Sequence, residues 1–216
     1  IIWILTRRMF AGESNRMDLN AYFDGLKDLL ANPSVFLVMG ASSMVGMARL
    51  STVTFLPIYL VGAKGFSSVG LGFHWMLLYV MGAVSQPLMG VISDKFSRKT
   101  VLLPSFAMMA ILYFLLPLAS KGISLIIVIG VMGAFFYGTG NIATAGVLDV
   151  ASRRIQGTAH SIMSLFQQLI TLPAPIIAGF IVTELGLSSV FYFCACLLSE
   201  LPPQENNISI LKKNKH

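Results

Sequence analysis

The sequence predicts an all-α membrane protein, a bundle of six transmembrane helices, and three observations carry that prediction. The composition is 56% hydrophobic and only 11% charged, against about 25% charged in an ordinary soluble domain. Apolar runs near the ~20 residues that a helix needs to cross a bilayer recur along the chain. Lysine and arginine fall on alternate links between those runs. At a mean hydropathy of +0.78, a soluble core of 216 residues cannot bury so much apolar surface, so lipid is part of the solvent. The net charge of +6 would suggest a nucleic-acid partner in a soluble protein. Here its placement reports topology, and no nucleic acid is expected.

Taken in order, Ile1-Ile2-Trp3-Ile4-Leu5 reads as the end of a preceding transmembrane helix, with Arg7 and Arg8 at its cytoplasmic edge. Residues 6–34 are a polar cytoplasmic linker. Within it Leu19, Tyr22, Phe23, Leu26, Leu29 and Leu30 recur at helical spacing, with Asp18, Asp24, Lys27 and Asp28 on the other face. That pattern predicts an amphipathic helix on the inner membrane surface, ended by Asn32-Pro33. The bundle then occupies residues 35–201. Spans are predicted at 35–61, 69–92, 100–118, 123–148 and 159–182, with a short sixth at 188–201 whose apolar run stops at Glu200 and Pro202-Pro203. Residues 202–216 form a polar, basic tail expected to be disordered. The links leave no room for a soluble domain or a nucleotide-binding loop, and short links make neighbouring helices antiparallel. Enzymatic activity is therefore not expected.

Orientation follows from the cations. Arg7, Arg8, Arg16, Lys27, Lys95, Arg98, Lys99, Arg153, Arg154, Lys212, Lys213 and Lys215 fall on one side, and only Lys64 and Lys121 on the other. This places both ends in the cytoplasm, in a plasma (inner) membrane.

Arg49 is the one cation inside a span. It lies near mid-depth, where insertion costs at least ~2.5–3.5 kcal/mol, so it must face the bundle interior, a cavity or a partner. It would recognise an anionic group or join a coupling ion pair; the alternative is a structural contact to backbone carbonyls or to another bundle. His74 and Trp75 lie near the outer end of the second span, as interfacial belt residues or, for His74, as a proton-coupling group. In the fifth span Gln167 and Gln168 precede Pro173-Ala174-Pro175, where missing N–H groups predict a kink, either a gate or plain packing. Gly130, Gly133, Gly138, Gly140 and Gly146 give the fourth span a smooth packing surface, to which Tyr137 and Asn141 add polar groups. Cys194 and Cys196 read as small apolar filler. No metal and no cofactor is expected.

Gly90-Val91-Ile92-Ser93-Asp94-Lys95-Phe96-Ser97-Arg98-Lys99 is the most distinctive segment. Gly90 is expected to let two helices approach closely, and Asp94 to pair with Arg98 or with the N-terminus of a neighbouring helix. Lys95, Arg98 and Lys99 hold the turn in the cytoplasm. Such a cluster could latch one bundle to another in one state and release it in the next. The segment resembles the signature loop of the major facilitator superfamily, roughly G-x-L-[SA]-D-[RK]-x-G-[RK]-[RK]. Gly90, Ser93, Asp94, Lys95, Arg98 and Lys99 match; Ile92 replaces Leu and Ser97 replaces the second Gly. Arg49 with Thr54-Phe55-Leu56-Pro57-Ile58-Tyr59-Leu60 looks like the first helix of the family's C-terminal half, and is similar to fosmidomycin-resistance-type efflux carriers. Arg153-Arg154-Ile155-Gln156-Gly157-Thr158-Ala159 looks like the family's link between its tenth and eleventh helices.

The resemblance implies half of a major-facilitator-type fold, helices seven to twelve. It implies secondary active transport of a small solute by alternating access, with an N-terminal half as partner and the cavity between them. Efflux and organic-anion transport are the two subclasses it suggests, with an anionic solute if Arg49 meets it and the proton as candidate coupling ion. The candidate substrate or coupling residues are Arg49, His74, Asn141 and Gln167. A non-transporting receptor-like or scaffold protein of the same fold is the alternative.

Overall fold

In hydrocarbon a chain must satisfy its own backbone polar groups, so long apolar runs fold as helices. The computed structural model describes residues 33–96, 98–150 and 156–199, together with Lys27 and Ala31. The preceding helix end, the amphipathic helix of the linker, the Arg153-Arg154 link and the tail lie outside the described residues. Helix α1 covers Pro33–Ile58 and runs into a π-helical turn, Tyr59–Ala63. Then come α2 (Ser68–Phe96), α3 (Arg98–Leu118), α4 (Ile123–Val150), α5 (Gln156–Thr171), α6 (Ala174–Leu185) and α7 (Ser189–Ser199). Among the described residues there is no strand. Among the described residues five stretches are long and apolar enough to cross a membrane, the fifth being α5 and α6 taken together. The 11 residues of α7 rise about 16 Å, short of a ~30 Å hydrocarbon core.

Two local features differ from the expected pattern. The fifth span is interrupted, where a kink was expected. Pro173 and Pro175 offer no N–H, so the carbonyls of Leu169 and Thr171 lose their helical donors. Pro173 becomes the N-cap of α6, and its carbonyl accepts from the amides of Ile176 (3.1 Å) and Ile177 (3.0 Å). The link after the second span is also much shorter than the seven residues expected: α2 stays helical through Phe96 and α3 starts at Arg98.

Packing follows the small residues. The closest pair is α2 and α4. Gly133 lies against the backbone of Leu78, Gly130 against Leu77, and Gly138 against Met89. Tyr59, Tyr113, Phe136 and Phe191 are the largest side chains fully enclosed by the bundle. A buried polar seam joins α1, α3 and α7. Thr52 donates to Ala48 O (2.7 Å) and accepts from the Tyr113 hydroxyl (2.9 Å), while the Cys194 thiol reaches the same carbonyl at 3.6 Å. Cys194 is thus a buried filler and Cys196 an exposed one, both free.

The two cations expected on the outer side, Lys64 and Lys121, are helix caps. Lys64 Nζ donates to the carbonyls of Pro117 (3.3 Å) and Ala119, at the C-terminal end of α3. Lys121 Nζ donates to Gly65 O at 2.8 Å, in the turn after α1. Each binds carbonyls that a helix end leaves without donors, where the helix dipole favours a cation.

Enclosure is uneven. The share of buried residues is 50% in the first span and 44% in the fourth, but 22% in the second and 11% across α5 and α6. The bundle is therefore built around α1 and α4, and α2 and α5–α6 present most of its open surface.

Candidate functional site

Arg49 lies in the second half of α1, facing α4. Its guanidinium carbon is 5.2 Å from the centre of the Phe136 ring and 5.1 Å from that of Tyr137. Gly140 supplies the room, since Arg49 Nη1 stands 3.2 Å from where a Cβ there would sit. No acid pairs with Arg49 among the described residues. The two ring faces contribute roughly 0.5–2 kcal/mol each, which offsets much of the burial cost. They provide no acceptor, however, for the five N–H donors of the guanidinium.

Beside Arg49 the structure assembles groups from two helices. Tyr137 stacks on Tyr79 at 5.5 Å between centres, and Tyr79 on Trp75 at 5.7 Å. The amide of Asn141 donates to Gln86 Oε1 at 3.0 Å, joining α4 to α2 on the exposed side of the pair. Gly82 makes this arrangement possible, because a Cβ there would sit 2.5 Å from Tyr137 Cδ2. Tyr79, Gln86 and Phe136 were not among the candidates read from the sequence. The available signal was the i, i+4, i+7, i+11 spacing of Trp75, Tyr79, Gly82 and Gln86, one stripe of a helix.

Of the sequence candidates, Arg49 and Asn141 both meet α4 or belong to it, Arg49 against Phe136, Tyr137 and Gly140 and Asn141 paired with Gln86 of α2. Gln167 instead marks the seam between α5 and α1, where its amide donates to Ser42 O at 3.1 Å beside Gly46. His74 stands apart near the N-terminal end of α2, enclosed by the bundle and not at its surface. It is 4% exposed, packed between the rings of Phe66 (4.7 Å) and Phe73 (5.6 Å). Its Nδ1 donates to Gly70 O at 2.7 Å, which fixes the tautomer and leaves Nε2 as a buried acceptor without a partner among the described residues.

At the C-terminal end of α2 Asp94 Oδ1 pairs with Arg98 Nη1 at 3.2 Å, one helical turn apart across the link. Arg98 Nη1 also donates to the buried Ser93 Oγ at 3.4 Å. The Asp94 side chain is 67% exposed, so the pair itself adds at most about 1 kcal/mol. Lys95 lies over the Phe96 ring at 5.8 Å. Ser97 and the Lys99 side chain lie outside the described residues. The expectation for Gly90 is corrected within this bundle: an added Cβ there would meet nothing within 4 Å. The close approaches are made by Gly46, Gly82, Gly133 and Gly138.

A bundle of short-linked helices, five of its stretches apolar and long enough to span a bilayer, defines a polytopic α-helical membrane protein. The family model of the Major Facilitator Superfamily matches residues 38–199, and the chain belongs to that superfamily. Multidrug resistance protein MdtG of Serratia proteamaculans (strain 568) is 26% identical over 172 residues, 76% of this chain and 41% of the relative. The probable galactarate/D-glucarate transporter GarP of Escherichia coli (strain K12) is 25% identical over 185 residues, 81% of this chain and 41% of the relative. The MdtG of Klebsiella pneumoniae (strain 342) is 26% identical over 162 residues, 72% of this chain and 38% of the relative. The chain thus spans about two fifths of the length of these curated relatives. Their names support membrane transport, and add nothing to the likeness to fosmidomycin-resistance-type carriers.

Proposed function

We propose that this chain is one six-helix half of an alternating-access transporter for a small organic anion, with Arg49 as the residue of this half that meets the substrate's charge. The observation that carries this reading is the state of Arg49: seated on two rings, against Gly140, with no carboxylate paired to it among the described residues. Asn141, paired with Gln86, supplies amide groups on the same face. Gln167 holds α5 to α1, and movement at the Pro173 break would loosen that hold. His74 Nε2 is the group of this half best suited to accept a coupling proton. The Asp94 cluster acts as a latch against the N-terminal half. Both ends face the cytoplasm of a plasma (inner) membrane. One relative is named for galactarate and D-glucarate, which are carboxylate anions, in keeping with a guanidinium contact. Efflux of drug-like solutes is the second reading, favoured by the relatives named for multidrug resistance.

The test is binding of matched anionic and neutral analogues to the intact transporter carrying this half. A bidentate contact is lost in Arg49→Gln and impaired in Arg49→Lys, which keeps the charge without the planar fork. Loss of a charged hydrogen-bond pair, about 1.5–3 kcal/mol, should weaken anion binding about 10–100-fold and leave the neutral analogue unchanged. If both variants keep the wild-type preference between the analogues, Arg49 is structural. Solute-dependent flux in vesicles separates a transporter from a receptor-like or scaffold descendant of the fold.

A further inference from the structure

The geometry points to a substrate that carries a planar π-system as well as its charge, with Trp75, Tyr79 and Tyr137 forming the stacking platform beside Arg49. This rests on the reading of Arg49 as the anion contact. The three rings and the guanidinium form one continuous column. Trp75 lies 5.7 Å from Tyr79 at an interplanar angle of 30°, Tyr79 lies 5.5 Å from Tyr137 at 26°, and Arg49 lies 5.1 Å from Tyr137. Those spacings exceed face-to-face contact, so the rings are offset and each keeps part of its face uncovered. Tyr79 is 53% exposed.

Lipid is not the natural neighbour of this face. At about 100° per residue, Trp75, Tyr79, Gly82 and Gln86 lie within roughly 60° of one another on α2. The exposed apolar side chains Phe73, Val80, Val84 and Val91 lie on the opposite side, where they suit hydrocarbon. Tyr79 also stands about 16 Å along α2 from its outer end, too deep for an interfacial belt of a ~30 Å core. Gln86, about 10 Å further along α2 than Tyr79, and Asn141 share the aromatic face, and their amides pair on its exposed side, where polar groups suit water better than lipid. The face is also built for ring placement, because Gly82 is what lets Tyr137 sit against α2. A ring laid beside Tyr137, on the part of the Tyr79 face that the offset leaves uncovered, can turn its acid group to the guanidinium, and a saturated ring of equal charge cannot stack.

The experiment uses benzoate, cyclohexanecarboxylate and benzamide, measured by competition binding on the intact transporter in nanodiscs. Benzoate should bind about five- to tenfold more tightly than cyclohexanecarboxylate. Tyr79→Leu should abolish that difference while leaving cyclohexanecarboxylate within about twofold, and Tyr79→Phe should preserve it. The half-exposed position makes both variants compatible with folding. Equal binding of the two acids by the wild-type protein overturns the inference, as does a preference that survives both Tyr79→Leu and Tyr137→Leu. If benzamide matches benzoate while cyclohexanecarboxylate binds poorly, the platform stands and the anion reading of Arg49 fails. If both acids bind equally and far better than benzamide, Arg49 stands and the platform fails.

Discussion

Replacing Gly133 by alanine should separate the two most closely packed helices. A Cβ at this position would lie 2.5 Å from Leu78 O, 2.9 Å from Leu78 Cα and 3.1 Å from Leu78 C. Ordinary contact begins near 3.4 Å, so the oxygen contact falls short by about 0.9 Å (3.4 minus 2.5). All three atoms are backbone of α2, and no rotamer change can move them aside. The helices must part or shear, and overpacking of this kind costs about 1–3 kcal/mol. Two other glycines calibrate the effect. Gly138→Ala meets the flexible end of Met89, which can swing away, so its cost should stay below about 1 kcal/mol. Gly90→Ala meets nothing and should gain a few tenths to ~1 kcal/mol from helix propensity. The assay is thermal unfolding of the detergent-solubilised intact transporter, read by thiol-reagent labelling of the buried Cys194 in a background whose other cysteines are replaced. The expected order of midpoints is Gly133→Ala lowest, Gly138→Ala next, Gly90→Ala at or above wild type. A Gly133→Ala midpoint equal to wild type would refute the packing of α2 on α4.

Three further outcomes are expected. Asp94→Asn should slow transport by tenfold or more and leave substrate affinity within a few-fold, since the residue sits at the membrane edge; loss of binding with intact conformational cycling would rule out the latch. Lys64→Met removes the donor to Pro117 and Ala119 and should destabilise by about 1 kcal/mol after allowance for solvent, with Lys121→Met costing less because Lys121 is exposed; equal or reversed effects would contradict the capping role. Single cysteines at Lys64 and Lys121 should react with an impermeant thiol reagent in intact cells, and one at Ser97 should not, in a background lacking Cys194 and Cys196; the opposite pattern would invert the topology.

How much of this was legible beforehand depends on the kind of signal. The spans were readable because hydropathy is a local sum over about twenty residues, and lipid forces such a run into helix. The break at Pro173 was half-readable: two prolines announce lost hydrogen bonds, but whether the chain bends or stops depends on neighbours that local sequence does not contain. Gly90 makes no close approach within this bundle, because a glycine acts only where another element arrives. Gly82 succeeded in that role unannounced, since its partner Tyr137 lies on α4. The aromatic column was hidden for the same reason. Two of its members are one helical turn apart, but the third and the guanidinium come from different helices.

The cations show most clearly what the fold adds to the sequence. Three of the fifteen Lys and Arg residues stand off the predicted cytoplasmic side, Lys64, Lys121 and Arg49, and by charge alone they look alike. The structure gives the two lysines helix-end carbonyls as acceptors. Both lie at span ends, where capping is cheap and water is near. Arg49 is deeper and has aromatic faces in place of acceptors. A guanidinium keeps its proton even when buried, so deprotonation cannot relieve it, and mid-depth is too far for it to snorkel to either headgroup layer. Its remaining donors therefore require an acceptor from beyond the described bundle: a solute's acid group, water held in the cavity, or a carboxylate of a second bundle. A carboxylate partner would leave an anionic and a neutral analogue equally indifferent to Arg49→Lys. A solute partner would not, because the lysine restores the charge and loses the fork.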